Sequence, residues 1–257
     1  MGQGTGVEQE RAGGRVVLVT GGSRGVGRAI VHAMAAYGHR VAFCYRNDAQ
    51  SAGECARETQ DRYGVEPLVL QADVTSDDAR KSLVDTVHRS LGGPDILVNN
   101  SGTTEDGVAI RMKEAWDRVV DLDLTAPFRL AQLSIRHMMS AGWGRVITVG
   151  SIAARLGFPG QVNYTAAKAG VEGMTRSLAQ EYGRRGITVN TVSPGFVETD
   201  LTRDVGELAR SYVEQYSALG RCVSAESVAA TVAFLASEAA WAITGQTINV
   251  DGGLVKL

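Results

Sequence analysis

Near the start of the chain, the sequence reads Val16-Val-Leu-Val-Thr20-Gly-Gly-Ser-Arg-Gly-Val-Gly27, and an amphipathic run follows over Arg28-Ala-Ile-Val-His-Ala-Met-Ala-Ala-Tyr37. The apolar run predicts a buried strand, the glycines a tight turn, and the amphipathic run a helix. Glycines let the backbone approach a ligand closely, and the helix N-terminus offers unpaired N–H groups to a phosphate. This stretch therefore predicts a strand, turn and helix that bind a dinucleotide.

The rest of the chain repeats this alternation. Short runs rich in Val, Ile and Leu alternate with longer amphipathic stretches, which is typical of βαβ units around a parallel sheet. The predicted strands are Val16–Thr20, Arg40–Tyr45, Pro67–Gln71, Ile96–Asn99, Arg145–Gly150, Thr188–Val192 and Thr247–Val250. We expect an α/β protein: a single-domain Rossmann fold over residues 15–257, with a doubly wound seven-stranded parallel sheet and helices on both faces.

A second motif predicts chemistry. Tyr164 and Lys168 stand four residues apart in Asn163-Tyr-Thr-Ala-Ala-Lys168, so on a helix they share one face. A lysine cation beside a phenol favours the phenolate, so Tyr164 would exchange a proton with a carbonyl or alcohol oxygen. Ser151 follows an apolar strand and would bind the same oxygen at the edge where α/β sheets bind ligands. Chance pairing on a helix surface is the alternative, and the glycine-rich turn favours the catalytic interpretation.

These motifs, together with the segment Asn99-Asn-Ser-Gly102, resemble the classical short-chain dehydrogenase/reductase family over about residues 15–253. Three further segments are similar to the 3-oxoacyl-[acyl-carrier-protein] reductases within it. They are Arg111-Met112, Ser193-Pro-Gly-Phe-Val-Glu-Thr-Asp-Leu-Thr202 and Thr244-Gly-Gln-Thr-Ile-Asn-Val-Asp-Gly-Gly253. The resemblance implies an NADPH-dependent oxidoreductase that reduces a ketone to a secondary alcohol. The expected substrate is a 3-oxoacyl thioester on acyl carrier protein, of the fatty-acid or polyketide type.

The resemblance also implies site residues. The catalytic set would comprise Ser151, Tyr164, Lys168 and, at the fourth position, Asp123. The glycine-rich turn contributes Gly21, Ser23, Arg24, Gly25, Val26 and Gly27 to the expected cofactor site. The resemblance adds Asp73, Val74, Asn100, Gly102, Pro194, Gly195, Val197 and Thr199, and places Tyr164 and Lys168 beside the cofactor as well. For the loop residues among them, ordinary turn formation is the competing interpretation.

The segment Cys44-Tyr45-Arg46-Asn47, after the second strand, bears on the choice of cofactor. An acidic side chain here would bind the ribose 2'-hydroxyl and repel a 2'-phosphate. Tyr45 stands where such an acid is expected, while Arg46 and Arg24 offer guanidinium groups that bind phosphate. We therefore expect NADP(H). The alternative makes Arg46 a solvated charge and leaves Asp48 to bind the ribose.

Asp123 departs from the family pattern that the resemblance implies. An asparagine is expected there, and it helps to hold a water that links the lysine to solvent. A carboxylate near Lys168 would stabilise the ammonium but oppose a phenolate at Tyr164. We expect altered activity or a shifted pH optimum. The alternative functions are an NADP-dependent alcohol or sugar dehydrogenase and a catalytically weak NADP-binding subunit.

Partner predictions depend on three regions. Residues of about 196–220 are expected to form a mobile lid over the site or a fixed amphipathic helix. The resemblance implies basic residues near the cleft that receive an acidic acyl carrier protein; Arg184-Arg185 are available for this role, although the segment 138–143 is poor in charge. The resemblance implies a homotetramer. Candidate contact residues, which helical spacing alone does not separate from core residues, are Trp116, Val119, Val120, Leu124 and Phe128.

Composition excludes other classes of function. The 257 residues carry a formal net charge of -2, which gives no electrostatic basis for binding nucleic acid or an anionic membrane. Cys44, Cys55 and Cys222 lie far apart without metal-ligand spacing, which predicts reduced thiols, no metal site and a cytoplasmic location. Residues 1–14 lack the apolar core of a secretion signal, and we expect them to be a disordered leader.

Overall fold

The fold is built on one parallel sheet. The structure is a computed structural model that describes residues 14–197 and 206–255. Its strands are β1 (Val16–Thr20), β2 (Arg40–Tyr45), β3 (Leu68–Gln71), β4 (Ile96–Asn99), β5 (Gly144–Val149), β6 (Ile187–Pro194) and β7 (Thr247–Val250). All pairs are parallel, in the order β3-β2-β1-β4-β5-β6-β7. The chain order reverses between β1 and β4, where doubly wound sheets open a crevice for ligands.

Helices cover both faces of this sheet. They are α1 (Gly25–Ala36), α2 (Ala49–Tyr63), α3 (Asp77–Leu91), α4 (Glu114–Val120), α5 (Ala126–Ala141), α6 (Ala153–Leu156), α7 (Val162–Tyr182), α8 (Gly206–Tyr216) and α9 (Ala225–Ala236). One face packs against α1, α2 and α9, and the other packs against α3, α5 and α7. The predicted fold class is therefore confirmed.

Strand β1, an interior strand of the sheet, shows why the first apolar run is uninterrupted. Val17 and Val19 of β1 face the core beneath α1 and α9, whereas Val16 and Leu18 face the core beneath α3, α5 and α7. Successive side chains of a strand point to opposite faces, so a strand covered on both sides is apolar throughout. This burial keeps β1 in the interior of the sheet, and the reversal of chain order beside β4 places its C-terminal end at the crevice.

Predicted strand boundaries differ from the structure at three strands by one to two residues. β3 begins at Leu68, which pairs with Ala42, and β5 begins at Gly144, which pairs with Ile187. β6 runs on to Pro194, which pairs with Val250. Proline has no N–H to donate to a neighbouring strand, and it stands here at the last residue of β6.

Parts of the predicted domain organisation lie outside the described residues. The described chain begins at Gly14, so residues 1–13 of the predicted leader are not described. In the predicted lid, helix α8 is described and residues 198–205 are not. The domain limits stay predictions. None of the described helices is both long enough and apolar enough to cross a membrane.

Phe43 of β2 is fully buried between the sheet and the glycine-rich turn. We expect Phe43→Ala to lower the free energy of unfolding by about 3–5 kcal/mol, because the ring leaves a cavity in a packed core. Urea denaturation measures the loss. Tyr37→Ala is the control, since this side chain is 67% exposed and its removal should cost below about 0.5 kcal/mol. A Phe43→Ala variant of native stability would contradict this packing.

Candidate functional site

The glycine-rich turn after β1 has a backbone conformation that residues other than glycine rarely adopt. Gly21 and Gly25 have φ angles of 65° and 53°, in the left-handed region. At Gly27, an added Cβ would lie 2.0 Å from the carbonyl oxygen of Gly21, so the turn packs directly on the first turn of α1. The turn thus keeps the backbone close to the crevice at the end of β1.

The N-terminus of α1 leaves its backbone donors available. Its N-cap residue, Arg24, has an extended backbone and makes no capping side-chain hydrogen bond. In contrast, the first turn of α2 is capped by Asp48 and that of α3 by Ser76. Uncapped N–H groups at the start of a helix bind anions, so this turn and helix fit the pyrophosphate of a dinucleotide.

Three of the predicted catalytic residues lie at the same edge of the sheet. Ser151 stands two residues beyond β5, half-buried, and its Oγ accepts a hydrogen bond of 3.1 Å from the backbone N–H of Ala153. Tyr164 is half-buried in the first turn of α7, one helical turn before Lys168. The Nζ of Lys168 lies 5.5 Å from the centroid of the Tyr164 ring. The lysine cation therefore lies beneath the phenol, as the four-residue spacing predicts.

Lys168 is buried, and its ammonium has two protein partners. It is 4% exposed, and Nζ donates a hydrogen bond of 3.1 Å to the carbonyl oxygen of Val149. The same nitrogen lies 2.9 Å from Oδ1 of Asp123, which is fully buried. The second carboxylate oxygen of Asp123 accepts a hydrogen bond of 3.0 Å from the backbone N–H of Thr103. Asp123 thus links Lys168 to the loop after β4.

The ion pair sets the protonation of the lysine. Burial alone lowers the pKa of Lys168, but the charges of Asp123 and Tyr164 and the hydrogen bond to Asp123 outweigh it, so the pKa is raised. Lys168 is therefore an ammonium throughout the neutral range. The structure places the carboxylate of Asp123 on the ammonium of Lys168, and the positive charge beneath Tyr164 is partly compensated.

Two local features allow Asp123 to reach the lysine. The helix widens into a π-helical turn over Asp121–Thr125, between α4 and α5, and such turns are frequent at functional sites. Opposite the turn stands Gly102, where an added Cβ would come within 2.6 Å of Asp123 Oδ1 and 3.4 Å of Lys168 Nζ. The absence of a side chain at Gly102 leaves the space that the ion pair fills.

Asn163 is a site residue that the motifs alone did not reveal. Its fully buried amide donates to the carbonyl oxygens of Glu105 (3.1 Å) and Ala115 (3.2 Å), and accepts from the backbone N–H of Tyr164 (2.8 Å). It therefore ties the start of α7 to the loop after β4 and to α4. Its position directly before Tyr164 is the only sequence signal, and the partners are far away in the chain.

The remaining predicted cofactor residues occupy the same edge, as far as they are described. Asp73 and Val74 follow β3, Asn100 and Gly102 follow β4, and Gly195 and Val197 follow Pro194, the last residue of β6. One oxygen of Asp73 accepts hydrogen bonds from the backbone and hydroxyl of Thr75. Thr199 lies outside the described residues. Among the described residues, no three His, Cys, Asp or Glu side chains form a group that could hold a metal ion.

Comparison with known proteins agrees with this geometry. A family model described as enoyl-(acyl carrier protein) reductase matches residues 21–255. The chain is 44% identical over 242 residues to the 3-oxoacyl-[acyl-carrier-protein] reductase FabG of Pseudomonas aeruginosa, covering 94% of this chain and 97% of that protein. It is 41% identical to the FabG of Escherichia coli with the same coverage. Identity to the 3-oxoacyl-[acyl-carrier-protein] reductase of Synechocystis is 42%, over 94% of this chain and 97% of that one.

The chain belongs to the short-chain dehydrogenase/reductase family. The resemblance carried by the sequence motifs is thus confirmed, and the protein is an oxidoreductase with a nicotinamide cofactor. Family membership also fits the arrangement of the site, because the glycine-rich turn and the residues Ser151, Tyr164 and Lys168 meet at one sheet edge. The roles of the individual residues stay predictions.

The ion pair predicts a pH effect for Asp123→Asn. Removing the carboxylate takes away the charge that raises the pKa of Lys168, so burial lowers this pKa and the ammonium is lost at a lower pH than in wild type. Because this cation stabilises the phenolate that proton donation leaves on Tyr164, we expect the alkaline limb of the ketone-reduction rate to move to lower pH, as measured in a rate profile from pH 5 to 10.

The exposed residue Asp117 of α4 offers the matched control, since Asp117→Asn removes the same charge away from Lys168. Superimposable profiles for wild type and Asp123→Asn would show that the carboxylate has no influence on proton transfer.

Proposed function

We propose that the protein uses NADPH to reduce a 3-oxoacyl thioester carried by acyl carrier protein. The observation that carries the proposal is the convergence of Ser151 and Tyr164 at one edge of the sheet, above the buried ammonium of Lys168. Identities of 40–44% to 3-oxoacyl-[acyl-carrier-protein] reductases over most of the chain support the substrate class. Fatty-acid and polyketide intermediates share this 3-oxoacyl group.

Ser151, Tyr164 and Lys168 have different roles at the carbonyl oxygen of the substrate. The reduced nicotinamide, when bound, supplies the hydride that reaches the carbonyl carbon. Ser151 already accepts a hydrogen bond from Ala153, so its own O–H is left to donate to the substrate oxygen. Tyr164 gives its proton to the same oxygen, and the cation of Lys168 stabilises the phenolate that remains. General acid catalysis and electrostatic stabilisation thus act on one atom.

The surroundings of β2 support NADPH over NADH. Oδ1 of Asp48 accepts a hydrogen bond from the backbone N–H of Ser51 (2.9 Å), and Oδ2 accepts one from its hydroxyl (2.7 Å). These bonds, the backbone one first, lower the pKa of Asp48. The carboxylate therefore caps α2, which makes Asp48 a poor ligand for the ribose hydroxyls. Arg46 is exposed beside it and can receive a 2'-phosphate.

Arg184 and Arg185 lie far from Tyr164 of the same subunit. These exposed arginines form a turn beyond the C-terminal end of α7, whereas Tyr164 lies at its N-terminal end. At 1.5 Å per residue, about 30 Å separates them along the helix. We therefore expect them to serve the site of a neighbouring subunit if they bind the carrier.

A homotetramer stays a prediction, as does a cytoplasmic location. Of the candidate contact residues, Val119 is core, whereas Trp116 and Phe128 are partly exposed. Leu124 packs on Gly170 of α7 and lines the groove between α5 and α7 with Phe128. The helices α5 and α7 thus present apolar surface that a second subunit would cover.

The substrate is tested by following NADPH oxidation with acetoacetyl thioesters of acyl carrier protein, coenzyme A and a pantetheine mimic. Turnover should be fastest with the carrier-bound thioester and fall by at least about ten-fold with the free ones, as the carrier adds binding energy. A crotonyl thioester tests enoyl reduction, and a panel of simple alcohols and sugars with NADP+ tests the oxidative alternative. Activity confined to either of these would overturn the proposal.

Tyr164→Phe is the control in the same assay. It should lower kcat by at least about 100-fold, because the proton donor is lost, and leave the Kd of NADPH within about two-fold of wild type. Near-native turnover would remove Tyr164 from the mechanism. Wild type could bind NADPH and still reduce none of the thioesters. Recovery of activity in Asp123→Asn would then show that the carboxylate of Asp123 weakens proton transfer in this protein.

Arg46 provides a test of cofactor choice that needs no substrate. Arg46→Ala should raise the Kd of NADPH by about ten-fold or more and leave that of NADH within about two-fold, since a charge-assisted contact to the 2'-phosphate is lost. Nicotinamide fluorescence measures both constants. Arg40→Ala, at the opposite end of β2, is the matched control. Equal losses for both cofactors would argue against a phosphate contact at Arg46.

A further inference from the structure

The carbonyl oxygens of the glycine-rich turn are all occupied by protein donors over residues 20–23. Nδ2 of Asn100 donates to the oxygens of Thr20 and Gly21, at 3.0 Å each. Sγ of the buried Cys55 donates to the oxygen of Gly22 at 3.5 Å. Nε of Arg28 donates to the oxygen of Ser23 at 3.0 Å. A residue of the loop after β4 and residues of α2 and α1 thus hold the turn from three sides.

These bonds fix the direction of the backbone donors. In a trans peptide unit, the C=O of one residue and the N–H of the next point in opposite directions. Holding the carbonyl of Gly22 therefore directs the N–H of Ser23, and holding the carbonyl of Ser23 directs the N–H of Arg24. Donors fixed before a ligand arrives cost no ordering free energy when it binds.

Arg28 does more than hold one carbonyl. Its Nη2 donates to the backbone carbonyl oxygen of Ser51 in the first turn of α2 (3.2 Å), and its Nη1 donates to the carboxylate oxygen Oε1 of Glu58 (3.4 Å). Glu54 lies 3.8 Å from Nη2. The guanidinium thus joins the turn to both α1 and α2, and its three nitrogens all have protein partners. Its donors point into the protein, which distinguishes it from the exposed Arg24 and Arg46.

We propose that Arg28 is a positioning residue for the pyrophosphate of the cofactor: it orients the N–H groups of the turn and does not touch the 2'-phosphate. The proposal depends on the nicotinamide cofactor that the family uses and not on the ketone proposed above. The proposal also predicts a binding effect that distinguishes Arg28 from a ligand of the 2'-phosphate. NADPH and NADH share the pyrophosphate, so loss of Arg28 should raise the Kd of both cofactors by the same factor.

The test is Arg28→Met, which keeps the aliphatic stem and removes the donors. Fluorescence titration of the full-length protein should show the Kd of NADPH and of NADH raised alike, by about ten-fold, with their ratio unchanged within about two-fold. Arg57→Met is the matched control, because Arg57 is an exposed arginine of α2 and the charge change is identical. Its two Kd values should equal those of wild type.

Three results would overturn the proposal. Native Kd values in folded Arg28→Met would show that the turn keeps its shape without the guanidinium. If Arg28→Met bound NADPH more weakly but NADH as tightly as wild type does, Arg28 would be a ligand of the 2'-phosphate. If Arg28→Met shows no cooperative thermal unfolding, Arg28→Lys replaces it: this variant retains the charge but not the fork of donors, and wild-type Kd values there would overturn the proposal as well. A rise of both constants by one factor supports it.

Discussion

The buried ion pair between Lys168 and Asp123 constrains the whole catalytic edge. An ammonium that is 4% exposed is stable only if it is paired, and removing one partner of such a pair costs about 3–5 kcal/mol. Lys168 belongs to α7, and Asp123 belongs to the π-helical turn between α4 and α5. Their contact at 2.9 Å therefore sets how these helices meet beneath Tyr164.

Neighbouring backbone elements adapt to this pair. Gly102 has no room for a side chain beside it, Thr103 donates its N–H to Asp123, and Val149 accepts a hydrogen bond from Lys168. The ends of β4 and β5 are thus both linked to the same two charges. A carboxylate here holds the lysine as an ammonium and at the same time weakens its field at Tyr164, so structural order and proton transfer depend on one contact.

The cofactor half of the edge follows a different principle, because its donors are backbone groups. The turn after β1 is shaped by glycines in the left-handed region, and its carbonyls are held by side chains from the surrounding elements. The first turn of α1 lacks a side-chain cap, which leaves its N–H groups for an anion. One half of the site thus relies on a buried charge pair and the other on fixed backbone dipoles, and the sheet edge brings them together.

The sheet, the glycine-rich turn and the pairing of Tyr164 with Lys168 could all be predicted from the sequence. These features are local: burial of β1 on two faces requires an uninterrupted apolar run, and four-residue spacing on a helix places two side chains on one face. Four of the seven strands have the predicted boundaries, and the others differ by one or two residues because strand ends depend on the pairing partner.

The contacts between distant segments, in contrast, could be read only from the three-dimensional packing of the chain. The distance from Asp123 to Lys168, the role of Asn163 at the start of α7, the use of Asp48 as a helix cap and the position of Arg28 between the turn and α2 all depend on how the elements pack. A sequence pattern records which residues share a strand or a helix face. It does not record which side chain from another element fills the space opposite, because that is fixed by the packing of the whole domain.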